Sequence, residues 1–235
     1  MARMKAKLTA ALMLTGALCT REASAQTSIP PTVERDSAWD VVSTVSMAIG
    51  AGTVTLMPRI YYSSPDATVG WKARWHVSIL APAMTMVGAT LLVDYPIREA
   101  IESPKVGCTL DDTFAATPYL EPDSGCETFG GPSTHAFASW GAFGAGTAIF
   151  LVDTFYYSDI EFHGGSFVGN VIVPLGAAIV TSVARSADGS GIGPESTGQV
   201  VAGALPGFAV GALLGVGYAF LQEPDCGYGG YLICW

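Results

Sequence analysis

Five stretches of the chain hold no Asp, Glu, Lys or Arg: residues 41–58, 75–93, 136–152, 164–184 and 196–222. Charges close them off, from Asp40 and Arg59 around the first to Glu223 after the last. Their lengths of 17 to 27 residues bracket the roughly 20 that an α-helix needs to cross a bilayer. Strands rarely exceed about 10 residues, so the pattern predicts helices. All five are rich in Gly, Ala, Ser and Thr, as in "GAFGAGTAIF" and "VVAGALPGFAVGALLGVG", which suits helices that approach one another closely inside a membrane. Pro82, Pro174 and Pro206 fall within the runs, where a membrane bundle tolerates kinks. The expected fold is therefore all-α, an integral membrane helical bundle. A soluble secreted helical domain with a buried apolar core is the competing reading.

The start of the chain has a different pattern. Arg3, Lys5 and Lys7 precede the short apolar stretch "LTAALMLTGAL", and Ala23-Ser24-Ala25 forms a small-residue cleavage site, as in an export signal. Cys19 follows Leu18 rather than a small residue, which argues against a lipoprotein anchor. Residues 1–25 are read as the signal and 26–235 as a single domain, with no internal repeat. Five helices follow if the signal is cleaved, and it becomes a sixth if it is retained.

Either way, 26–38 lies outside the cytoplasm, and counting helices puts the loop 59–74 inside. Its Arg59, Lys72 and Arg74 fit the preference for positive charge on that side. The loops 94–135 and 185–195 then share the outer face, and the expected location is the cell membrane. Cys108 and Cys126 fall in the first of these loops, where an oxidising compartment suits a disulfide between them. Cys226 and Cys234 are expected inside and reduced.

Composition supports the membrane and narrows the partners. Half of the residues are hydrophobic and 13% are charged, well below the quarter or so of soluble domains, and mean hydropathy is +0.40. A net charge of −9 argues against nucleic acid. The few Cys and His are too scattered for zinc spacing, so neither metal nor cofactor is expected. Oligomeric state is not legible.

Only seven Lys or Arg remain beyond residue 25. Apart from Arg35 and the three in the inner loop, they are Arg98, Lys105 and Arg185, all on the expected outer face. His135 joins them, whereas His76 and His163 fall at the opposite ends of their runs. Three cations beside "GGPSTH", a Gly-rich helix start, make a physically sensible anion site, because helix-start N–H groups and the helix dipole favour negative charge. Ser133 and Thr134 supply hydroxyl donors, and His135 can pass a proton to a leaving oxygen. Taken singly, the same residues also read as a helix-end charge, a loop charge, an N-cap and an interface histidine.

These residues resemble the type 2 phosphatidic acid phosphatase and vanadium haloperoxidase superfamily. Its first motif is Lys, six residues, then Arg-Pro; here Arg98, "EAIESP" and Lys105 repeat the spacing with the cations exchanged. "PSTH" at 132–135 matches Pro-Ser-Gly-His with Thr134 for Gly. For the third motif, Arg185 takes the arginine position, and "QVVAGALPG" resembles the family's Asp-Val-Leu-Ala-Gly tail. Alignment on that tail puts Glu195 where the nucleophilic histidine belongs and Gln199 where its orienting aspartate belongs.

The resemblance implies a phosphatidic acid phosphatase type 2-like membrane domain and a phosphoric monoester hydrolase. Arg98, Lys105, Ser133, Thr134 and Arg185 would cradle phosphate, and His135 would act as acid. Glu195 would stand at the attacking position. The implied ligand is a lipid phosphate or similar monoester. Two functions stay open: an active phosphatase with an unrecognised nucleophile, or a silent relative that binds an anionic headgroup or serves structurally.

Overall fold

The five uncharged runs form five long helices in a computed structural model that describes residues 37–63, 70–106, 129–186, 195–225 and 233–234. They are α1 Ser37–Leu56, α2 Val77–Ile101, α3 Thr134–Tyr157, α4 Gly164–Arg185 and α5 Thr197–Leu221. All five are long and apolar enough to cross a membrane. The signal segment 1–25, Cys108, Cys126 and Cys226 lie outside the described residues.

Glycine spacing decides which helices meet. On α5, Gly203, Gly207, Gly211 and Gly215 recur every four residues, and a Cβ on each would run into the backbone of Ser133, Phe137, Gly141 and Ala145 respectively. Those partners also step by four, so α5 lies along the start and body of α3 with main chain against main chain. Small residues permit this approach, and dispersion plus close packing then hold the pair where lipid offers no hydrophobic drive. Helices α1 and α4 pair through Gly50, whose Cβ would stand 3.1 Å from that of Ala177. A buried hydrogen bond of 2.8 Å between the hydroxyls of Ser46 and Thr181 adds to it.

Three helices contain π-helical turns, at Val93–Ile97 in α2, Asp153–Tyr157 in α3 and Val168–Ile172 in α4. In α2 the turn surrounds Pro96, which has no N–H to donate and cannot continue a regular ladder.

The expected inner loop is a small sheet, not an irregular connection. Strands β1 Arg59–Ser63 and β2 Gly70–His76 pair antiparallel, and β3 Ile233–Cys234 adds parallel to β2. Arg59 does not behave as a loop charge. It is buried, its Nε lies 3.0 Å and 3.1 Å from the two Asp153 carboxylate oxygens, and its guanidinium stacks over Tyr157 and Tyr218. Cys234 is disulfide-bonded, which corrects the expectation of a reduced thiol at this end.

Candidate functional site

Helix direction collects the chemistry at the other end of the bundle. There α1, α3 and α5 begin while α2 and α4 finish, so three helix N-termini face one region and favour negative charge in it. The sequence supplies that charge itself. Asp40 sits in the first turn of α1, and Glu195 immediately precedes Ser196, the N-cap of α5. Arg185 occupies the last turn of α4, where a cation complements the helix dipole.

These three side chains meet. Arg185 donates from Nη1 to Asp40 Oδ1 at 2.7 Å and from Nη2 to Glu195 Oε1 at 2.7 Å. The backbone enforces the second contact, since the Glu195 N–H donates to the Arg185 carbonyl at 3.1 Å. Glu195 is wholly buried and Asp40 is 62% exposed, so one carboxylate is fixed and the other is displaceable. Glu195 Oε2 and Arg185 Nε are buried and meet no partner among the described residues.

Ser133 caps α3, its Oγ accepting from the Ala136 N–H at 3.3 Å. Thr134 is buried behind it. His135 turns Nε2 toward Thr44 Oγ1 of α1 at 3.4 Å and lies within electrostatic range of Arg185, Glu195, Asp40 and Arg98. Arg98 donates from Nη1 to Asp94 Oδ1 at 2.5 Å and from Nη2 to the Phe129 carbonyl, which ties the end of α2 to the segment leading into α3. Lys105 is half-buried, and its Cα would lie 2.9 Å from a Cβ on Gly130. Thus Arg185, Glu195 and Asp40 are in direct contact, His135 lies within electrostatic range of them and of Arg98, and the Lys105 backbone packs behind the glycine turn.

Gln199 holds that turn. Its Nε2 donates to Ser103 Oγ and the Pro104 carbonyl, both at 2.8 Å, and its Oε1 accepts from the Ser196 N–H at 2.9 Å. Its own carbonyl accepts the Ser133 N–H at 3.0 Å. A Cβ on Gly131 would collide with the Gln199 side chain, the nearest atom 2.6 Å away; only glycine fits there. The residue at the expected orienting position therefore clamps two loops instead of a catalytic base.

Sequence reasoning missed Asp40, Thr44 and Asp94 as members of this cluster. Asp94 was legible, four residues before Arg98 on one helix face. Asp40 figured only as the boundary of an uncharged run. His76 and His163 stand at the sheet end, where the His163 ring packs against Trp71 at a tilt of 59° with ring centroids 4.7 Å apart. Helix α3, with 24 residues, separates them from His135 by roughly 35 Å at about 1.5 Å per residue. No group of three or more His, Cys, Asp or Glu able to hold a metal occurs among the described residues. Compared with protein-family models, curated proteins and solved structures, the chain matches none.

Proposed function

We propose that this chain is a catalytically silent membrane protein related to the type 2 phosphatidic acid phosphatases, in which its own carboxylates occupy the place of the phosphate. The relationship is supported by the Arg98–Lys105 spacing, the Pro132-Ser133-Thr134-His135 helix start and the position of Arg185. Silence is supported by one observation above all: both terminal nitrogens of Arg185 are taken, at 2.7 Å each, by Asp40 and the fully buried Glu195. Phosphoryl transfer to a histidine needs a second imidazole beside the acid, and the chain's other two histidines are at the far end. A carboxylate in that position repels a phosphate dianion instead of attacking it.

Lys72 and Arg74 at the sheet end support an outward-facing charged end, and the disulfide of Cys234 supports the reverse. Labelling of cysteines from each side of the membrane decides between them.

The test of silence is hydrolysis of phosphatidic acid and of p-nitrophenyl phosphate by the purified full chain in micelles. No turnover above the protein-free blank is expected. Turnover that disappears in His135→Ala overturns the proposal.

A further inference from the structure

Along β2 the side chains sort by a period of two. Trp71, Ala73 and Trp75 share one face, joined by their register partners Tyr62 and Ile60 of β1 and Ile233 of β3. Lys72, Arg74 and His76 share the other with Tyr61, Arg59 and Cys234. The polar face is the inner one: Arg59, Tyr61, His76 and Cys234 are buried, and Arg59 reaches Asp153 of α3. The apolar face is the outer one, with Trp71, Trp75 and Ile233 all exposed. A sheet with one face in water turns its apolar side chains inward and its polar ones outward. This sheet has the reverse.

The neighbouring loop shows the same preference. Ile160 stands at φ 70°, a left-handed backbone that a β-branched residue adopts only under strain, and its side chain is 68% exposed. A solvated turn favours Gly or Asn there; isoleucine brings a gain only where its side chain leaves water.

Continuity identifies the apolar partner. The Trp71 ring packs on His163, which Phe162 precedes, and the Trp75 Nε1–H donates at 2.9 Å to the Leu56 carbonyl at the end of α1. Tyr156 of α3 and Phe220 of α5 meet edge-on with ring centroids 5.2 Å apart. Leu56, Trp75, Phe162, Tyr156 and Phe220 are all exposed, so the apolar surface passes from helix to helix at this end and continues onto spans long and apolar enough to cross a membrane. A second copy would cover one side of such a girdle, whereas a bilayer surrounds it. Trp and Tyr, each an apolar ring with a polar tip, concentrate where hydrocarbon gives way to headgroups. Charge supplies no attraction to anionic lipid, because Lys72 and Arg74 stand against Asp159, Glu161, Glu223 and Asp225.

We propose that the outer face of the sheet, together with Ile160 and Phe162, is an anchor embedded by apolar burial in the headgroup boundary of the bilayer, with no requirement for anionic lipid. The hairpin β1–β2 then rests in the membrane surface instead of projecting into water. The inference depends neither on the silent reading above nor on which side of the membrane this end faces.

The experiment is depth-resolved tryptophan quenching of the full chain in phosphatidylcholine vesicles, with the other tryptophans changed to Phe so that one is read at a time. Trp71 and Trp75 are read as they stand, and Lys72→Trp, Ala73→Trp and Arg74→Trp complete the strand. A nitroxide lipid labelled just below the headgroup should quench strongly at Trp71, Ala73→Trp and Trp75 and weakly at Lys72→Trp and Arg74→Trp, following the alternation of the strand. Iodide in the water should leave the first three largely unquenched, and Ile160→Trp should behave as they do. Exchanging part of the phosphatidylcholine for phosphatidylglycerol should leave the pattern unchanged. Trp140 donates to Ser182 at 2.9 Å, so a second reading avoids its loss: the quenching that disappears in Trp71→Phe or Trp75→Phe of the otherwise native chain.

Iodide quenching of equal strength at every position overturns the proposal by placing the sheet in water. Shielding of Trp71 and Trp75 from both quenchers, together with cross-links between copies, overturns it by assigning the face to a second copy. Quenching strongest from a nitroxide at the end of the acyl chain refutes the interfacial depth, and an alternation that emerges only with phosphatidylglycerol refutes the apolar basis.

Discussion

Replacing Glu195 by Gln should convert the charged end from one that rejects phosphate into one that binds it. Gln has nearly the same shape, and its amide oxygen can still accept from Arg185 Nη2, the 2.7 Å contact that Glu195 Oε1 makes now. What disappears is one buried negative charge. A phosphate held by the same guanidinium would stand about 4 Å from that carboxylate. At an effective dielectric near 20, two unit charges at that distance interact by about 4 kcal/mol.

The charged end is exposed on the Asp40 side, and Asp40, 62% exposed, must still be displaced. Halving the figure for solvent screening leaves about 2 kcal/mol, or roughly 30-fold in affinity. Calorimetric titration of inorganic phosphate or vanadate into the detergent-solubilised protein at low ionic strength reads this directly. Asp40→Asn should give a smaller gain, since an exposed charge is already screened. Equal affinities in the wild type and Glu195→Gln, or a larger gain in Asp40→Asn, would refute the electrostatic argument.

Three further outcomes are expected. Gly211→Leu, whose Cβ would sit 2.6 Å from the Gly141 carbonyl carbon, should destabilise by about 1–3 kcal/mol or more, whereas Gly217→Leu, with nothing within 4 Å, should be close to neutral in thermal unfolding. Arg59→Ala strands buried Asp153 and should lose about 3–5 kcal/mol, with the double variant Arg59→Met/Asp153→Leu recovering much of it. His76 is buried at the sheet end with Nε2 3.1 Å from the Pro224 carbonyl, and burial, followed by the charges of Arg59 and Arg74, outweighs that bond and lowers its pKa. Its neutral form is the folded one, so its contribution is complete above the ordinary value near 6.5 and lost as pH falls below it. Chemical-denaturant midpoints between about pH 7.5 and 5 should fall more in the wild type than in His76→Gln.

The helices were legible because a membrane span is defined by what it excludes, and the absence of charge over 17 to 27 residues survives any detail of packing. Gly203, Gly207, Gly211 and Gly215 carried their message in spacing alone, although the facing helix was not legible. The sheet was missed because Arg59, Lys72 and Arg74 look like a solvated basic loop, and nothing local tells that Arg59 is buried against a residue 94 positions away. The charged end divides in the same way. Arg98, His135 and Arg185 announced themselves as rare residues at run boundaries. Asp40 reaches Arg185 across 145 positions, a pairing fixed by helix order and direction, which a motif cannot encode. Gln199, aligned with the family's orienting aspartate, clamps two loops because an amide both donates and accepts, a use that the alignment does not announce.

The glycine ladder between α3 and α5 also assigns motion within the bundle. Where main chain rests on main chain every four residues, no side chains remain to repack, so the two helices can neither slide past one another nor rotate independently. They move as one rod that carries Ser133, His135 and the clamp of Gln199. Opening the charged end therefore falls to the exposed Asp40 side chain, since the α1 backbone is itself held to α4 at Gly50 and by the Ser46–Thr181 hydrogen bond. The charged end thus joins a fixed wall of main chain to one displaceable carboxylate, which must leave before any anion can enter.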